Sequence, residues 1–174
     1  AKAALRAGAD LLVHSVFDQP VDEEFIALAK KNRALYCPTL FVVQGYPLAL
    51  SNQWRATPEE LKRADPQILA AMDDLNEIPA EKRPEVVSKL MAAAKMPDLP
   101  RIGMENLKKL SDAGVTIVMG TDAGNIGTLH GPSIYREMRL MQESGLTPLE
   151  VLRSATTNGT KALGLEGKVG AIAP

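Results

Sequence analysis

The sequence has 174 residues, of which 45% are hydrophobic and 24% charged, and its formal net charge is −1 at pH 7. This length suits one domain or part of one, and the balanced charge argues against a nucleic-acid-binding surface. The apolar runs are shorter than the roughly 20 residues of a membrane-spanning helix, and a single cysteine excludes an internal disulfide and a cysteine-rich zinc site.

The first 44 residues alternate between helical and strand-like patterns. Residues 1–8 are typical of the last turns of a helix that ends at a glycine, and residues 10–15 form a short apolar run typical of a buried parallel strand. A helix is predicted over about 22–32. A second strand is predicted over 34–43, with Pro38 ending or bending its pairing.

Residues 45–100 contain seven prolines, which repeatedly interrupt regular structure. Thr57-Pro58-Glu59-Glu60 is a capping box with proline in the first turn, Asp65-Pro66 repeats the pairing of cap and proline, and Pro84 opens an alanine- and methionine-rich run to Lys95. Because the apolar residues between the prolines recur at helical spacing, this segment predicts a helical insertion rather than a linker.

The alternation of strand and helix resumes in residues 101–174. The pattern predicts a helix over 101–113, a third buried strand over 115–119 and a helix over 132–144. A last helix is predicted over 147–163, and Thr147-Pro148-Leu149-Glu150 opens it as a second capping box. This order predicts a parallel α/β architecture. Both ends of the sequence suggest truncation, and we interpret the chain as a piece of a longer enzyme.

Three polar residues follow the predicted strands. In parallel α/β folds the functional side chains collect at the carboxyl ends of the strands, and His14, Thr39 and Asp122 take such positions. Imidazole nitrogen and carboxylate oxygen are usual ligands of a catalytic zinc ion, so His14 and Asp122 are candidate metal ligands. The alternative is a structural histidine together with a helix-capping aspartate.

Several other candidate functional residues each allow two interpretations. The glycine-rich stretch 120–127 could present N–H groups to phosphate, although it lacks the spacing of nucleotide-binding motifs. His130 precedes a predicted helix, where a neutral imidazole could donate to a substrate oxygen, or it is an exposed loop residue. Cys37 is interpreted as a core residue, and Trp54 as a lid contact or a packing anchor.

Several segments resemble the amidohydrolase superfamily. Residues 7–14, Ala-Gly-Ala-Asp-Leu-Leu-Val-His, resemble its sixth barrel strand, which delivers a metal-binding histidine. Residues 35–40, Leu-Tyr-Cys-Pro-Thr-Leu, resemble the seventh strand of the imidazolonepropionase-like and prolidase-like members. Residues 115–124 resemble the eighth strand, whose aspartate contacts the metal and its water. Residues 130–131, 136–138, 145–152, 155–160 and 164–165 are also similar to that group.

The resemblance implies a partial TIM-type (β/α)8 barrel that consists of strands six to eight with their helices. Barrel segments are expected at 1–44 and 101–174, with the helical insertion at 45–100 as a lid over the substrate. The other metal ligands of the family and its closing small β-domain would lie outside this chain. Because a partial barrel exposes strand edges, we expect a homo-oligomer or association with the missing N-terminal part of the same enzyme.

The implied activity is that of a metal-dependent hydrolase that cleaves an amide, peptide or cyclic C–N bond with a metal-activated water. His14 and Asp122 would bind one or two divalent ions, with zinc expected, and Asp122 would also transfer the proton. The substrate would be small or dipeptide-like, and the residues expected to contact it are His130, Thr39, Tyr46 and Trp54. We expect the fragment alone to be inactive, and the cytoplasm is the favoured compartment.

Two other functions remain open. The chain could be an α/β module whose glycine-rich loop binds a phosphate-bearing ligand, or a non-catalytic half-barrel that serves as an assembly unit.

Overall fold

A computed structural model describes residues 1–51, 53–77, 79–82, 85, 89 and 99–172. In these residues three strands form one parallel sheet in the order β1–β2–β3, namely β1 (Leu11–Val13), β2 (Leu35–Cys37) and β3 (Thr116–Ile117). Leu11 lies opposite Leu35, and Leu35 lies opposite Thr116. The predicted parallel α/β architecture is therefore confirmed.

Helices precede, connect and follow the strands. They are α1 (Lys2–Arg6), α2 (Glu23–Lys31), α3 (Leu40–Leu50), α4 (Pro58–Arg63), α5 (Pro66–Glu77), α6 (Leu99–Asp112), α7 (Ser133–Glu143), α8 (Pro148–Ala155) and α9 (Thr157–Ala162), with a 3-10 turn at Ala80–Lys82. Both predicted capping boxes are present, at the starts of α4 and α8. No helix within the described ranges combines the length and the apolar character needed to cross a membrane.

The hydrophobic core lies between the sheet and the helices around it. The central strand contributes Tyr36, α2 contributes Phe25, α6 contributes Leu107 and Leu110, and α7 contributes Met141, all at most 3% exposed. Burying each such side chain stabilises the fold by roughly 1.5–3 kcal/mol. This core fixes the direction of the strands, and so the place where their carboxyl ends meet.

The first strand is parallel as predicted, but the expectation that it is buried is wrong. Leu11 is 38% exposed and Val13 is 50% exposed. The reason is that β1 is an edge strand, with β2 as its single strand neighbour in the described part of the chain. The apolar run that predicts a buried strand therefore belongs to a strand at the edge of the sheet.

The strand predicted over 34–43 is correct only in its first half. β2 ends at Cys37, and α3 begins at Leu40. A continuous apolar run cannot distinguish a buried strand from a buried helix, and this run contains both. Helix α3 passes through the boundary predicted between residues 44 and 45, and the division into barrel segments and insertion stays a prediction.

Two further differences concern helices. The helix predicted over 147–163 is divided at Thr156, whose φ of −122° and ψ of −95° lie outside the helical region. The helix predicted to begin at Pro84 falls mostly on residues outside the described ranges.

Candidate functional site

The three strand-end residues share an unusual backbone conformation. His14 has φ +74°, Thr39 has φ +44° and Asp122 has φ +53°. A residue other than glycine in the left-handed region costs on the order of 1–3 kcal/mol, and such strain persists where the surrounding contacts impose it. For Thr39 the conformation is especially unfavourable because its side chain is β-branched.

The structure brings the side chains of these three residues together. Nδ1 of His14 lies 2.7 Å from Oγ1 of Thr39, and its Nε2 lies 3.9 Å from Oδ2 of Asp122. Thr39 is buried, whereas the side chains of His14 and Asp122 are 51% and 37% exposed. If Nδ1 carries the proton and donates to the threonine, the lone pair of Nε2 faces the carboxylate.

The donor set of this pair suits a divalent metal ion. Zinc binds histidine nitrogen and carboxylate oxygen at about 2.0–2.2 Å, so atoms 3.9 Å apart can share one ion at a wide angle or bind two neighbouring ions. Within the described residues, no group of three or more His, Cys, Asp or Glu side chains is placed to hold a metal. The two residues are therefore too few for a complete metal site, and their binding of a metal ion stays a prediction.

The backbone of Asp122 is braced by α3. The Tyr46 hydroxyl donates to Oδ1 of Asn125, and Nδ2 of Asn125 donates to the carbonyl oxygen of Asp122 at 3.0 Å. Burial, followed by the negative charge of Asp122, raises the pKa of the Tyr46 phenol. Tyr46, predicted to contact substrate, thus has its polar atom engaged in holding the Asp122 loop, and its contact with substrate stays a prediction.

Trp54 and two glycines hold the far end of the same loop. Nε1 of the half-buried Trp54 donates to the carbonyl oxygen of Gly127 at 3.0 Å, and the guanidinium of Arg136 lies 5.4 Å from the centre of the indole ring. A Cβ atom built on Gly127 would lie 2.6 Å from the carbonyl oxygen of Gly45. These contacts favour the packing interpretation of Trp54, while its substrate contact remains untested.

His130 lies against the loop that carries Asp122. It is exposed, and a Cβ atom built on Gly124 would lie 3.1 Å from its Cε1 atom. The imidazole is thus held near the Asp122 loop, although the described hydrogen bonds include none from its ring. Cys37 is buried, and burial, then the charges of Glu137 and Asp122, raises the pKa of its thiol to about 11.

Glu137 is a buried residue that the sequence interpretation did not select for a role. Its carboxylate is fully buried and accepts hydrogen bonds from the backbone N–H groups of Leu40 and Phe41, each at 2.8 Å. Burial raises its pKa to about 7, although these hydrogen bonds act in the opposite direction. A signal was present, because Glu137 lies one turn from Ile134 and Met141 on an apolar stripe, where a carboxylate needs a partner.

Two backbone N–H groups in and next to the glycine-rich loop 120–127 form hydrogen bonds within this part of the chain. The N–H of Gly124 donates to the carbonyl of Thr128 at 3.0 Å, and the N–H of Thr128 donates to the carbonyl of Asn125 at 2.9 Å. These two N–H groups are therefore engaged within the loop and are not directed at a ligand, so the phosphate-binding alternative gains no support from them.

A cavity of about 750 Å³ borders the outer side of β1. His14 and Ser15 line it, but Thr39 and Asp122 do not. It therefore follows the open edge of the sheet and is not centred on the facing His14 and Asp122 side chains.

One family model matches the sequence. The sequence model of the Amidohydrolase family matches residues 58–174, a region that includes Asp122 and His130 but not His14. A comparison with curated protein sequences gives no match.

Solved structures match nearly the whole chain. A Xaa-Pro dipeptidase with methionine bound in its active site is 25% identical, with a TM-score of 0.63 over 99% of this chain and 33% of its own. An A. niger ochratoxinase is 27% identical, with a TM-score of 0.51 over 99% of this chain and 28% of its own. A prolidase in complex with N-methylphosphonate-L-proline shares the fold at 24% identity, with a TM-score of 0.59 over 99% of this chain and 34% of its own. The chain thus spans about one third of the length of the structures it matches.

Proposed function

The chain belongs to the amidohydrolase family, and from this premise we propose that it supplies part of the active site of a metal-dependent hydrolase that cleaves an amide or peptide C–N bond. The observation that carries the proposal is the facing pair of His14 Nε2 and Asp122 Oδ2, 3.9 Å apart at the carboxyl ends of parallel strands. Such strand ends are where TIM-type barrels carry their catalytic groups.

We further propose that the three strands correspond to strands six to eight of a (β/α)8 barrel. Two observations support this assignment, namely the exposed edge of β1 and the coverage of about one third of the matching structures. The remaining strands would then come from the same longer enzyme, and they would supply the other metal ligands.

The residues of this chain have distinct parts in the proposed reaction. A divalent ion, with zinc expected, would lower the pKa of a bound water and polarise the substrate carbonyl. His14, held through Nδ1 by Thr39, would bind the ion through Nε2. The carboxylate of Asp122 would accept a proton from the attacking water and return it to the leaving nitrogen. His130, from its place against the same loop, donates to the substrate oxygen.

The solved relatives support a proposal for the substrate class. Because a Xaa-Pro dipeptidase and a prolidase are among the matching structures, we propose that the substrate is dipeptide-like. The segment 45–100 would cover it as a lid, with Tyr46 and Trp54 at the entrance. These two side chains also anchor the segment to the loop that carries Asp122.

The test is the substitution Asp122→Asn in the full-length enzyme, assayed on a panel of Xaa-Pro dipeptides. We expect kcat to fall roughly 10³-fold or more while most of the metal is retained, because the amide cannot accept the proton. Asp112→Asn is the matched control, since Asp112 is exposed on α6 and pairs with Lys108. Unchanged turnover in Asp122→Asn would remove this residue from the mechanism.

A further inference from the structure

The first turn of α3 is capped from a distant part of the chain. The N–H groups of Leu40 and Phe41 both donate to the carboxylate of Glu137, which lies in α7, 97 and 96 positions later. The first N–H groups of a helix have no partner within the helix, so an external acceptor is needed there. Glu137 fills that need with both of its oxygens.

The residue in the capping position does not cap the helix. Thr39 occupies the N-cap of α3, yet its side chain makes no capping hydrogen bond. Its hydroxyl instead lies 2.7 Å from Nδ1 of His14. At the starts of α4 and α8, by contrast, Thr57 and Thr147 accept from the backbone N–H three residues later.

The two roles of a threonine at this position compete. A relaxed N-cap threonine has an extended backbone and turns its hydroxyl toward the N–H groups of the first turn, as Thr57 does with φ −73° and ψ 162°. Thr39 has φ +44° and ψ 52° and is directed at His14. Because Glu137 already satisfies the N–H groups of Leu40 and Phe41, the hydroxyl of Thr39 is available to the imidazole.

We propose that Glu137 is a positioning residue for His14. By capping α3 in place of Thr39, its carboxylate keeps the Thr39 hydroxyl on Nδ1 of His14, so that Nε2 faces Asp122. The importance of this orientation for catalysis rests on the proposed function, in which His14 binds a metal ion. The orientation itself does not depend on that function and can be measured separately.

The first measurement is the tautomer of His14 in the protein at pH 8, where an ordinary imidazole is neutral. Nitrogen-15 NMR shifts report which ring nitrogen carries the proton, and the resonances of His14 are those lost in a His14→Asn variant. We expect one tautomer to dominate in the unmodified protein, because the Thr39 hydroxyl, which can accept from Nδ1–H or donate to an unprotonated Nδ1, holds the ring in one orientation. In Glu137→Gln we expect the ratio of the two tautomers to change severalfold, because the amide can accept only one of the two N–H bonds and Thr39 can then turn toward the first turn of α3.

Glu60→Gln is the matched control. Glu60 is also fully buried and also caps a helix, since its carboxylate accepts from the N–H of Thr57 at 2.7 Å and pairs with Arg136 at 2.6 Å. Its loss should destabilise the fold and leave the His14 tautomer unchanged. If Glu137→Gln also leaves the tautomer unchanged, Glu137 is a structural residue and the inference is overturned.

A second pair of variants tests the same link without altering Glu137, and decides the question if Glu137→Gln does not fold. Thr39→Ala removes the hydroxyl and should change the ratio of the His14 tautomers in the same direction as Glu137→Gln, whereas Thr39→Ser retains the hydroxyl and should keep the original ratio. An unchanged tautomer in Thr39→Ala would overturn the inference, because the threonine would then not control His14.

The consequence for metal binding is measured with Zn²⁺ on the full-length enzyme. Loss of a group that orients a metal-binding histidine typically weakens metal affinity about 10–100-fold, and we expect about 10-fold or more in Glu137→Gln against less than twofold in Glu60→Gln. His14→Asn separates the two proposals. If it leaves Zn²⁺ affinity unchanged, the proposed function fails, while the tautomer still decides the role of Glu137.

Discussion

The N-termini of helices α3 and α8 are each capped by a glutamate, but these glutamates reach them from very different distances along the chain. At α8, Glu150 belongs to the local capping box with Thr147, three residues away. At α3, Glu137 comes from another helix, and the local Thr39 is engaged with His14. The cap of α8 therefore stabilises only its helix, whereas the cap of α3 also leaves Thr39 free to hold a residue of the candidate site.

The backbone conformations of the two N-cap threonines differ in the same way. Thr147 has φ −69° and ψ 155°, a relaxed extended conformation that a capping threonine prefers. Thr39 is in the left-handed region, as are His14 and Asp122 at the other strand ends. Of the four non-glycine residues with positive φ in the described part of the chain, three lie at this edge of the sheet and the fourth is Arg33. Such a cluster of strained residues is typical of sites that bind or react.

The largest expected effect is a difference in how Glu137 and Glu150 make the unfolding free energy depend on pH. The pKa of Glu137 is raised from 4.5 to about 7 by burial, so between these values the folded protein keeps a proton that the unfolded chain releases. The contribution of Glu137 to unfolding free energy therefore falls by about 3 kcal/mol as the pH rises from 4.5 to 7. Urea unfolding of the unmodified protein and Glu137→Gln across this range should show the difference.

Glu150 gives the opposite sign and serves as the comparison. Hydrogen bonds from the backbone and side chain of Thr147 hold its pKa below the ordinary 4.5. Its contribution is thus present above pH 4.5 and is lost as the pH falls through the lowered pKa. Glu150→Gln should therefore differ from the unmodified protein more at neutral pH than at pH 3. Parallel pH curves for the unmodified protein and both variants would show that neither carboxyl titrates as described.

The next effect tests how closely α3 approaches the loop that carries Asp122. Gly127 and Gly114 have similar φ values of +85° and +81°, but a Cβ atom on Gly127 would meet the Gly45 carbonyl, whereas one on Gly114 meets nothing within 4 Å. Gly127→Ala should therefore destabilise the protein by roughly 2 kcal/mol more than Gly114→Ala. The two unfolding free energies, measured in urea, make the comparison.

Both alanine variants place a side chain on a residue with nearly the same positive φ, so the backbone strain should be the same in each. The difference between their unfolding free energies therefore isolates the contact between Gly127 and Gly45. Equal losses in the two variants would mean that the loop yields to the added atom. The close contact between α3 and the loop would then make no contribution to the unfolding free energy.

The smallest effect concerns the local cap of α8. Thr147→Ala removes a capping hydroxyl and should lower the unfolding free energy by about 1 kcal/mol, with no change in the His14 tautomer or in Zn²⁺ affinity. Thermal or urea unfolding checks the first expectation, and NMR and metal titration check the second. A change in metal affinity would contradict the separation between the two helix starts.

Sequence reasoning recovered what is local. The two capping boxes, the parallel order and the positions of His14 and Asp122 at strand ends depend on neighbouring residues or on short periodic patterns. The end of β2 was missed because an apolar run over 34–43 contains both a strand and the start of a buried helix. The exposure of β1 was missed because an interior and an edge strand share one pattern.

The contacts that shape the candidate site are non-local, and the sequence marks them only faintly. A glutamate on the apolar stripe of α7 and a glycine inside α3 are unusual choices, and each has a distant partner, the first turn of α3 for Glu137 and Gly127 for Gly45. Neither partner could be named without the fold. The left-handed conformation of Thr39 likewise depends on its distant contacts.

The distance between Glu137 and the helix that it caps also sets an order of events during synthesis. Leu40 leaves the ribosome 97 residues before Glu137, an interval of about 5–20 s at roughly 5–20 residues per second. During that time the nascent chain contains His14 and Thr39 but not the carboxylate that keeps them together. We therefore expect His14 to acquire its final orientation late in translation, after α7 has been made, so the growing chain has no fully oriented His14 until α7 joins the core.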